Sequence, residues 1–293
     1  MESSGLLAQF LANGLVTGAS YMLVAAGLTL VISTLHIYNF AHGEFYMLGG
    51  YAAVAASSLF GLSLVPTLLF AVMCLALFGL LVERTIFRPL TGRDHSSSII
   101  ASFGLSALLQ NGALVAFGAE PMALRSDLAG VPVQIGPVFL TGQRVLIVAL
   151  AALVVLALFL LLRCTWTGRA LRAMAQHPTV AQIAGVNVRF VALVTFAVSA
   201  ALAGLAGALM SGVFLVQPGN GAMLVMKAFT AIILAGMGSV GGAVVAGLAL
   251  GIIEALVSGY IGNGMRDMAG FFLVILMLLL RPQGLFGQST ERS

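Results

Sequence analysis

Between Leu35 and Phe45 the chain crowds two imidazoles, an amide and a carboxylate into His36-Ile37-Tyr38-Asn39-Phe40-Ala41-His42-Gly43-Glu44. Such groups beside apolar runs could bind a metal or line a polar path. The spacing of His36, His42 and Glu44 matches neither H-x-x-x-H nor H-E-x-x-H, which argues against a metal. A charge inside an apolar segment costs about 2.5–3.5 kcal/mol on insertion scales, so it normally faces a cavity or a partner. Asn39, His42 and Glu44 are candidates for a translocation path. The competing reading is a solvated loop at a membrane interface.

Two further places follow the same logic. Glu254 sits in the apolar run Gly251-Ile252-Ile253-Glu254-Ala255-Leu256, as a paired structural carboxylate or a second path residue. Ala235-Gly236-Met237-Gly238-Ser239-Val240-Gly241-Gly242 is poor material for a continuous helix. Broken, glycine-rich segments line paths in transporters, where unsatisfied backbone is tolerated only against protein or water. Gly238 and Gly241 therefore join the path candidates, against the plainer reading of a tight turn. The absences are also informative. The single lysine, Lys227, is followed by Ala228, so no Walker A loop is encoded. There is no Gly-x-Ser-x-Gly elbow and no Cys/His zinc spacing. No catalytic residue, metal or cofactor is expected, and an intramembrane enzyme lacks a nucleophile–base pair.

A longer polar segment, Thr167 to Arg189, is basic. In Gly168-Arg169-Ala170-Leu171-Arg172-Ala173-Met174-Ala175-Gln176, Leu171, Met174 and Ala175 share one side at helical spacing, and Arg169, Arg172 and Gln176 lie towards the other. Pro178 should break this helix, Thr179 should cap a second, and Gly185 should end it. Two short helices of this kind either lie along anionic headgroups or dock a partner.

The elements that must hold these groups are set by composition. Hydrophobic residues make up 60% of the 293, and charged residues 8%. A soluble domain carries about 25% charged residues, so the solvent here is largely lipid. Apolar runs at 6–33, 45–60, 64–82, 98–118, 144–162, 190–216, 225–237, 240–260 and 268–280 approach the roughly 20 residues that cross a bilayer. Nine of the thirteen cationic residues, Arg84, Arg88, Arg93, Arg163, Arg169, Arg172, Arg189, Arg281 and Arg292, fall in one set of loops, against Arg125, Arg144, Lys227 and Arg266. The positive-inside rule puts the nine, and the C-terminus, in the cytoplasm. The N-terminus lacks the basic region of a cleavable signal peptide.

Asn39-Phe40-Ala41-His42-Gly43-Glu44-Phe45-Tyr46-Met47-Leu48-Gly49-Gly50-Tyr51 resembles the N-terminal signature of LivH-type permeases, the membrane subunits of branched-chain amino-acid ABC importers. Gly168 to Ala173, continuing to Ala181 and Gly185-Val186-Asn187, resembles that family's cytoplasmic coupling segment. Phe229 to Glu254 and the ending Arg281 to Gly287 are similar too. The resemblance implies an all-α integral membrane protein: a single permease domain over 1–293, a polytopic bundle of about eight spans with a broken or re-entrant segment. It implies ATPase coupling through Gly168, Arg169, Arg172, Ala173, Ala181 and Gly185. The implied partners are a second homologous permease, two cytoplasmic ATPases, a periplasmic substrate-binding protein and membrane lipid; no nucleic acid is expected. The implied setting is a bacterial inner membrane. The cargo it implies is a branched-chain or related small amino acid, although the family also moves urea, amides and aromatic acids. The reading from another class is an ion-coupled secondary transporter or channel, with Glu44 and Glu254 as its ionisable residues.

Overall fold

The computed structural model describes residues 2–286, without the side chains of residues 2–4, His95 and Asp127. Gly287 of the family ending and Arg292 of the charge count lie outside the described residues. Within lipid, every backbone N–H and C=O needs a partner inside the protein, so apolar segments become helices. The helices are α1 (Glu2–Leu35), α2 (His42–Phe60), α3 (Leu64–Val82), α4 (His95–Phe117), α5 (Gly142–Cys164), α6 (Trp166–Gln176), α7 (Pro178–Ile183), α8 (Val188–Met210), α9 (Asn220–Ala235), α10 (Val240–Tyr260) and α11 (Arg266–Leu280). Among the described residues, seven helical segments are long and apolar enough to cross a membrane. The structure is thus a multi-pass helix bundle. A small hairpin, β1 (Pro132–Ile135) with β2 (Val138–Thr141), pairs antiparallel from Pro132↔Thr141 to Ile135↔Val138.

α1 is the centre of the bundle, with 89% of its apolar window buried against 6% for the segment containing α11. Its partner α10 runs antiparallel at near backbone contact. A Cβ at Gly18 would lie 2.9 Å from the Leu248 carbonyl oxygen, and one at Gly247 2.7 Å from the Met22 nitrogen. Small residues allow this approach, which supplies packing where lipid removes the hydrophobic drive between helices.

Two faces can be told apart. Leu35, Arg88, Arg93 and Arg189 line one cavity, which puts the ends of α1 and α3 and the starts of α4 and α8 on one side, the arginine-rich face. At the other end, the hairpin face, Gln9 donates to the Phe139 carbonyl at 2.9 Å and Arg144 to Asn13 at 2.7 Å.

The break in the helical pattern occurs twice. After α1 the chain turns back through non-helical residues 36–41 and starts α2 inside the bundle. After α8 it turns back through 211–219 and starts α9. A 16-residue helix is about 24 Å long, short of the roughly 30 Å hydrocarbon core. Backbone groups in both breaks find partners inside the protein. Ala41 N donates to Asn39 Oδ1 at 3.1 Å and Phe40 N to Ser102 at 3.2 Å. Val216 exchanges both bonds with Met122, at 2.7 and 2.9 Å. The segment 119–142 therefore folds inward at Met122 and outward at the hairpin. The long helices α1 and α8 run in opposite directions.

The glycine joint is a tight turn on the arginine-rich face. Gly236 and Gly238 have φ of 94° and 101°, and Ser239 caps α10 through Gly242 N at 3.0 Å. Gly238 faces open space, and a Cβ at Gly241 would lie no closer than 3.5 Å to Phe159. Gly236 and Gly238 are held by their positive φ instead, and a Cβ at Gly242 would lie 2.9 Å from the Phe286 ring. Leu285 N and Phe286 N donate to the Leu234 and Ala235 carbonyls at 3.0 and 2.8 Å, so the family ending caps α9. Gly284 (φ 79°) makes that approach against Gly236 backbone.

Candidate functional site

The solvated-loop reading of 36–44 fails at its second half. His36 is exposed, but Asn39, His42 and Glu44 are at most 1% exposed. α2 begins at His42, not at Phe45, so the polar residues form its first turn. The His42 ring is clamped across the bundle, with Nε2 3.2 Å from the Val24 carbonyl of α1 and Nδ1 3.4 Å from the Ser199 hydroxyl of α8. Asn39 turns the chain into α2. These two residues build the break.

Glu44 is placed differently. Ser106 of α4 donates to its Oε1 at 3.1 Å, while Oε2 has no partner among the described residues. That oxygen lies against the first turn of α9, where a Cβ on Gly221 would come within 2.6 Å of it. The two interior helix starts therefore meet at this carboxylate. A helix N-terminus carries about half a positive charge, and two of them make a negative group tolerable here. Gly43 and Gly221 allow the meeting. A Cβ at Gly43 would lie 2.7 Å from Gly221 carbonyl carbon and 2.9 Å from Val225 Cβ. Gly43→Ala should force α2 and α9 apart and cut the yield of folded protein several-fold, read as monodisperse protein in detergent. A normal yield would show that the contact is loose. Beside the carboxylate, Phe40 stacks on Phe103 at 4.4 Å and packs on Phe229 at 4.7 Å.

Glu254 is not near Glu44. Its Oε1 accepts from Lys227 of α9 at 2.6 Å, and Lys227 also pairs with Asp267 at 2.8 Å. Oε2 accepts from Arg266 at 3.1 Å and from Tyr21 of α1 at 2.9 Å. Lys227, counted above as a loop cation, is instead 6% exposed inside α9. A lone lysine in an apolar run signals an intramembrane partner, but that partner is 27 residues away in sequence. The six path candidates thus occupy three places: Asn39, His42 and Glu44 together; Glu254 in a four-charge network; Gly238 and Gly241 on the arginine-rich face, lining a cavity of about 540 Å³ beside Arg163 and Arg172. The N-terminus of α9 was missed, although Gln217-Pro218-Gly219-Asn220 carries the turn signal that announces it.

The segment 167–189 forms the two short helices α6 and α7. Thr165 caps α6 through Gly168 N at 3.0 Å. A Cβ at Gly168 would lie 2.6 Å from Leu162 backbone, so α6 folds back tightly on the end of α5. Leu171, Met174 and Ala181 form a small core with Val191, with Ala173 half-buried at its edge. Arg172 donates to the Leu162 carbonyl, and Arg169 is exposed. Thr179 does not cap α7. His177 precedes it, without a side-chain cap, and Pro178 is its first residue, where the missing N–H costs nothing. Gly185 (φ 87°) ends α7, with its N–H to Gln182 and that of Val186 to Ala181, both 3.0 Å, the paired bonds of a glycine-terminated helix.

Fold and site together define a membrane transport component: a multi-pass bundle with two interior helix starts and a stiff two-helix projection on its arginine-rich face. Residues 10–280 match the family model described as "Branched-chain amino acid transport system / permease component", and the chain belongs to that family. It is 35% identical to the high-affinity branched-chain amino acid transport system permease protein BraD of Pseudomonas aeruginosa, covering 96% of this chain and 95% of that one. It is also 35% identical to LivH of Escherichia coli, with 94% of each covered. The high-affinity branched-chain amino acid transport system permease protein LivM of E. coli is 26% identical, over 90% of this chain and 67% of its own. The solved structure of PsaBC from Streptococcus pneumoniae in complex with Fab shares the fold, with a TM-score of 0.52 at 15% identity, over 94% of this chain and 92% of that one.

Proposed function

We propose that the chain forms half of the translocation pathway of an ABC importer for branched-chain or related small amino acids, is not itself an enzyme, and is driven by separate ATPase subunits. The observation that carries this is the α6–α7 unit. Both its helices are fixed at their ends, one face is anchored on α5 and α8, and Val180 and Ile183 stand 61% and 82% exposed. A rigid projection with an apolar tip is suited to receive force from another subunit. A helix lying on lipid would be expected to bury that tip side by side with Leu171 and Met174, which instead face the protein. The 26% identity to LivM supports a related permease as the second half, and a periplasmic binding protein would deliver the cargo. The arginine-rich face is then cytoplasmic, with the C-terminus, in a bacterial inner membrane. Glu44, Asn39 and His42 sit where the two broken segments meet, which suits a path; Ser106 and the stacked Phe40 lie beside it.

The purified chain should hydrolyse no ATP, and hydrolysis should appear only with nucleotide-binding subunits added. Vesicles holding the assembled importer should take up radiolabelled leucine only when ATP is inside and a binding protein outside. Uptake driven by an ion gradient without ATP would replace this reading with the secondary-transporter one.

A further inference from the structure

The arginine-rich face holds a second cavity, of about 590 Å³, between the ends of α1 and α3 and the starts of α4 and α8. His36, Arg88, Arg93 and Arg189 stand on its wall, and Phe87 and Phe196 make it apolar further in. Its charge is not balanced. Glu83 is buried and bound to Arg88 through two bonds, of 3.2 and 2.9 Å. Arg93 and Arg189 are exposed and make no ion pair among the described residues. Asp94, beside Arg93 in sequence, is exposed and likewise unpaired among them. Ser98 of α4 and Val188 of α8 complete the wall. A π-helical turn, Glu83–Phe87, shapes the wall, a device frequent at functional sites. His36, at φ 56°, is the non-glycine residue held at positive φ among the described residues.

We propose that this cavity binds an anionic phospholipid, with the phosphate at Arg93 and Arg189 and an acyl chain against the apolar wall. The chemistry is that of a two-part ligand. Guanidinium groups match phosphate oxygens in paired bonds, and the apolar interior gives a free phosphate nothing to bury. Position agrees, because the cavity lies where apolar helices give way to arginines, the level at which headgroups sit. Basic pockets between membrane helices hold headgroups by this combination. Arg189 then belongs to lipid binding, not to the docking of an ATPase.

The test uses the full chain purified in detergent and exchanged with equal amounts of phosphatidylglycerol and phosphatidylcholine, with retained lipid quantified by mass spectrometry. The wild type should retain phosphatidylglycerol preferentially. Arg93→Ala with Arg189→Ala should lower that preference about 30-fold, at roughly fivefold per arginine near an anionic surface. Arg93→Lys with Arg189→Lys should keep most of it. Washing the wild type in 1 M salt, where the screening length is about 3 Å, should remove the preference without any mutation. Equal retention of both lipids by the wild type, or a preference unchanged in the alanine pair and in high salt, would overturn the proposal. Displacement by millimolar inorganic phosphate would make the cavity a free-anion site instead. Loss of co-purifying ATPase with unchanged lipid retention would make it a protein-docking surface.

Discussion

Val180→Asp combined with Ile183→Asp should abolish uptake while the chain still folds and inserts. Both side chains project from α7 at 61% and 82% exposure and neither belongs to the small core under α6 and α7. The substitutions therefore remove nothing that holds the segment together. In a partner's groove the two side chains would contribute about 1.5–3 kcal/mol each on burial, and a carboxylate there brings a desolvation cost as well. A loss of about 3–6 kcal/mol weakens docking at least a hundredfold. Uptake should fall at least tenfold, and the ATPase should be lost in a pull-down. Ile183→Leu keeps the apolar area and should transport normally. The result against it would be full uptake with the ATPase still bound, which would move the coupling contact off the tip of α7. Arg169 and Arg172 are weaker levers. Arg169 is exposed, where a single ion pair contributes about 0–1 kcal/mol, and Arg172 is already tied to the Leu162 carbonyl.

What could be read in the sequence follows what is local. The apolar runs become helices because lipid leaves the backbone no other partner, and each run named from hydropathy corresponds to a helix. The two-helix reading of 167–189 survives because its causes lie within the segment: the spacing of Leu171 and Met174, the proline at 178, the glycine at 185. Even there, one detail was decided by neighbours. Thr179 has the right chemistry to cap, but Pro178 is better suited to the first helical position, and the helix starts two residues earlier.

The site was legible only as polar residues out of place. Hydropathy cannot report that α2 starts inside the bundle, because His42 and Glu44 look like an interface until Val24, Ser199 and Gly221 are brought around them. Gly43 and Gly221 are separated by most of the chain. Their contact depends on how α2 and α9 pack against α1 and α8. The same holds for Lys227, whose two carboxylate partners come from α10 and α11. Charge counting treats a lysine as a marker of the aqueous side. Ion pairing with Glu254 and Asp267 removes that meaning, because the charge is compensated inside the bundle.

Glu254→Ala should therefore be among the most damaging single substitutions, and damaging through stability. Glu254 is wholly buried and takes bonds from Lys227, Arg266 and Tyr21, at 2.6, 3.1 and 2.9 Å. With it gone, Lys227 keeps only Asp267, whose side chain is 49% exposed, and Arg266 loses its ion pair. Breaking a buried pair from one side typically costs about 3–5 kcal/mol, mostly for the charge left behind. Removing both partners costs far less, since apolar groups of similar size can replace a buried pair. Glu254→Ala should lower the thermal unfolding midpoint and the folded yield sharply. Lys227→Met alone should do the same. In Glu254→Leu with Lys227→Met, the Arg266 side chain, already 32% exposed, can turn to water, and more than half of the lost stability should return. The network joins α1, α9, α10 and α11, so its loss should loosen α9 and with it the contact at Gly43. A path residue would behave otherwise: Glu254→Ala would melt like the wild type and fail only in uptake. That outcome would show that the carboxylate acts on cargo, and that its pairing with Lys227 is not what the bundle needs it for.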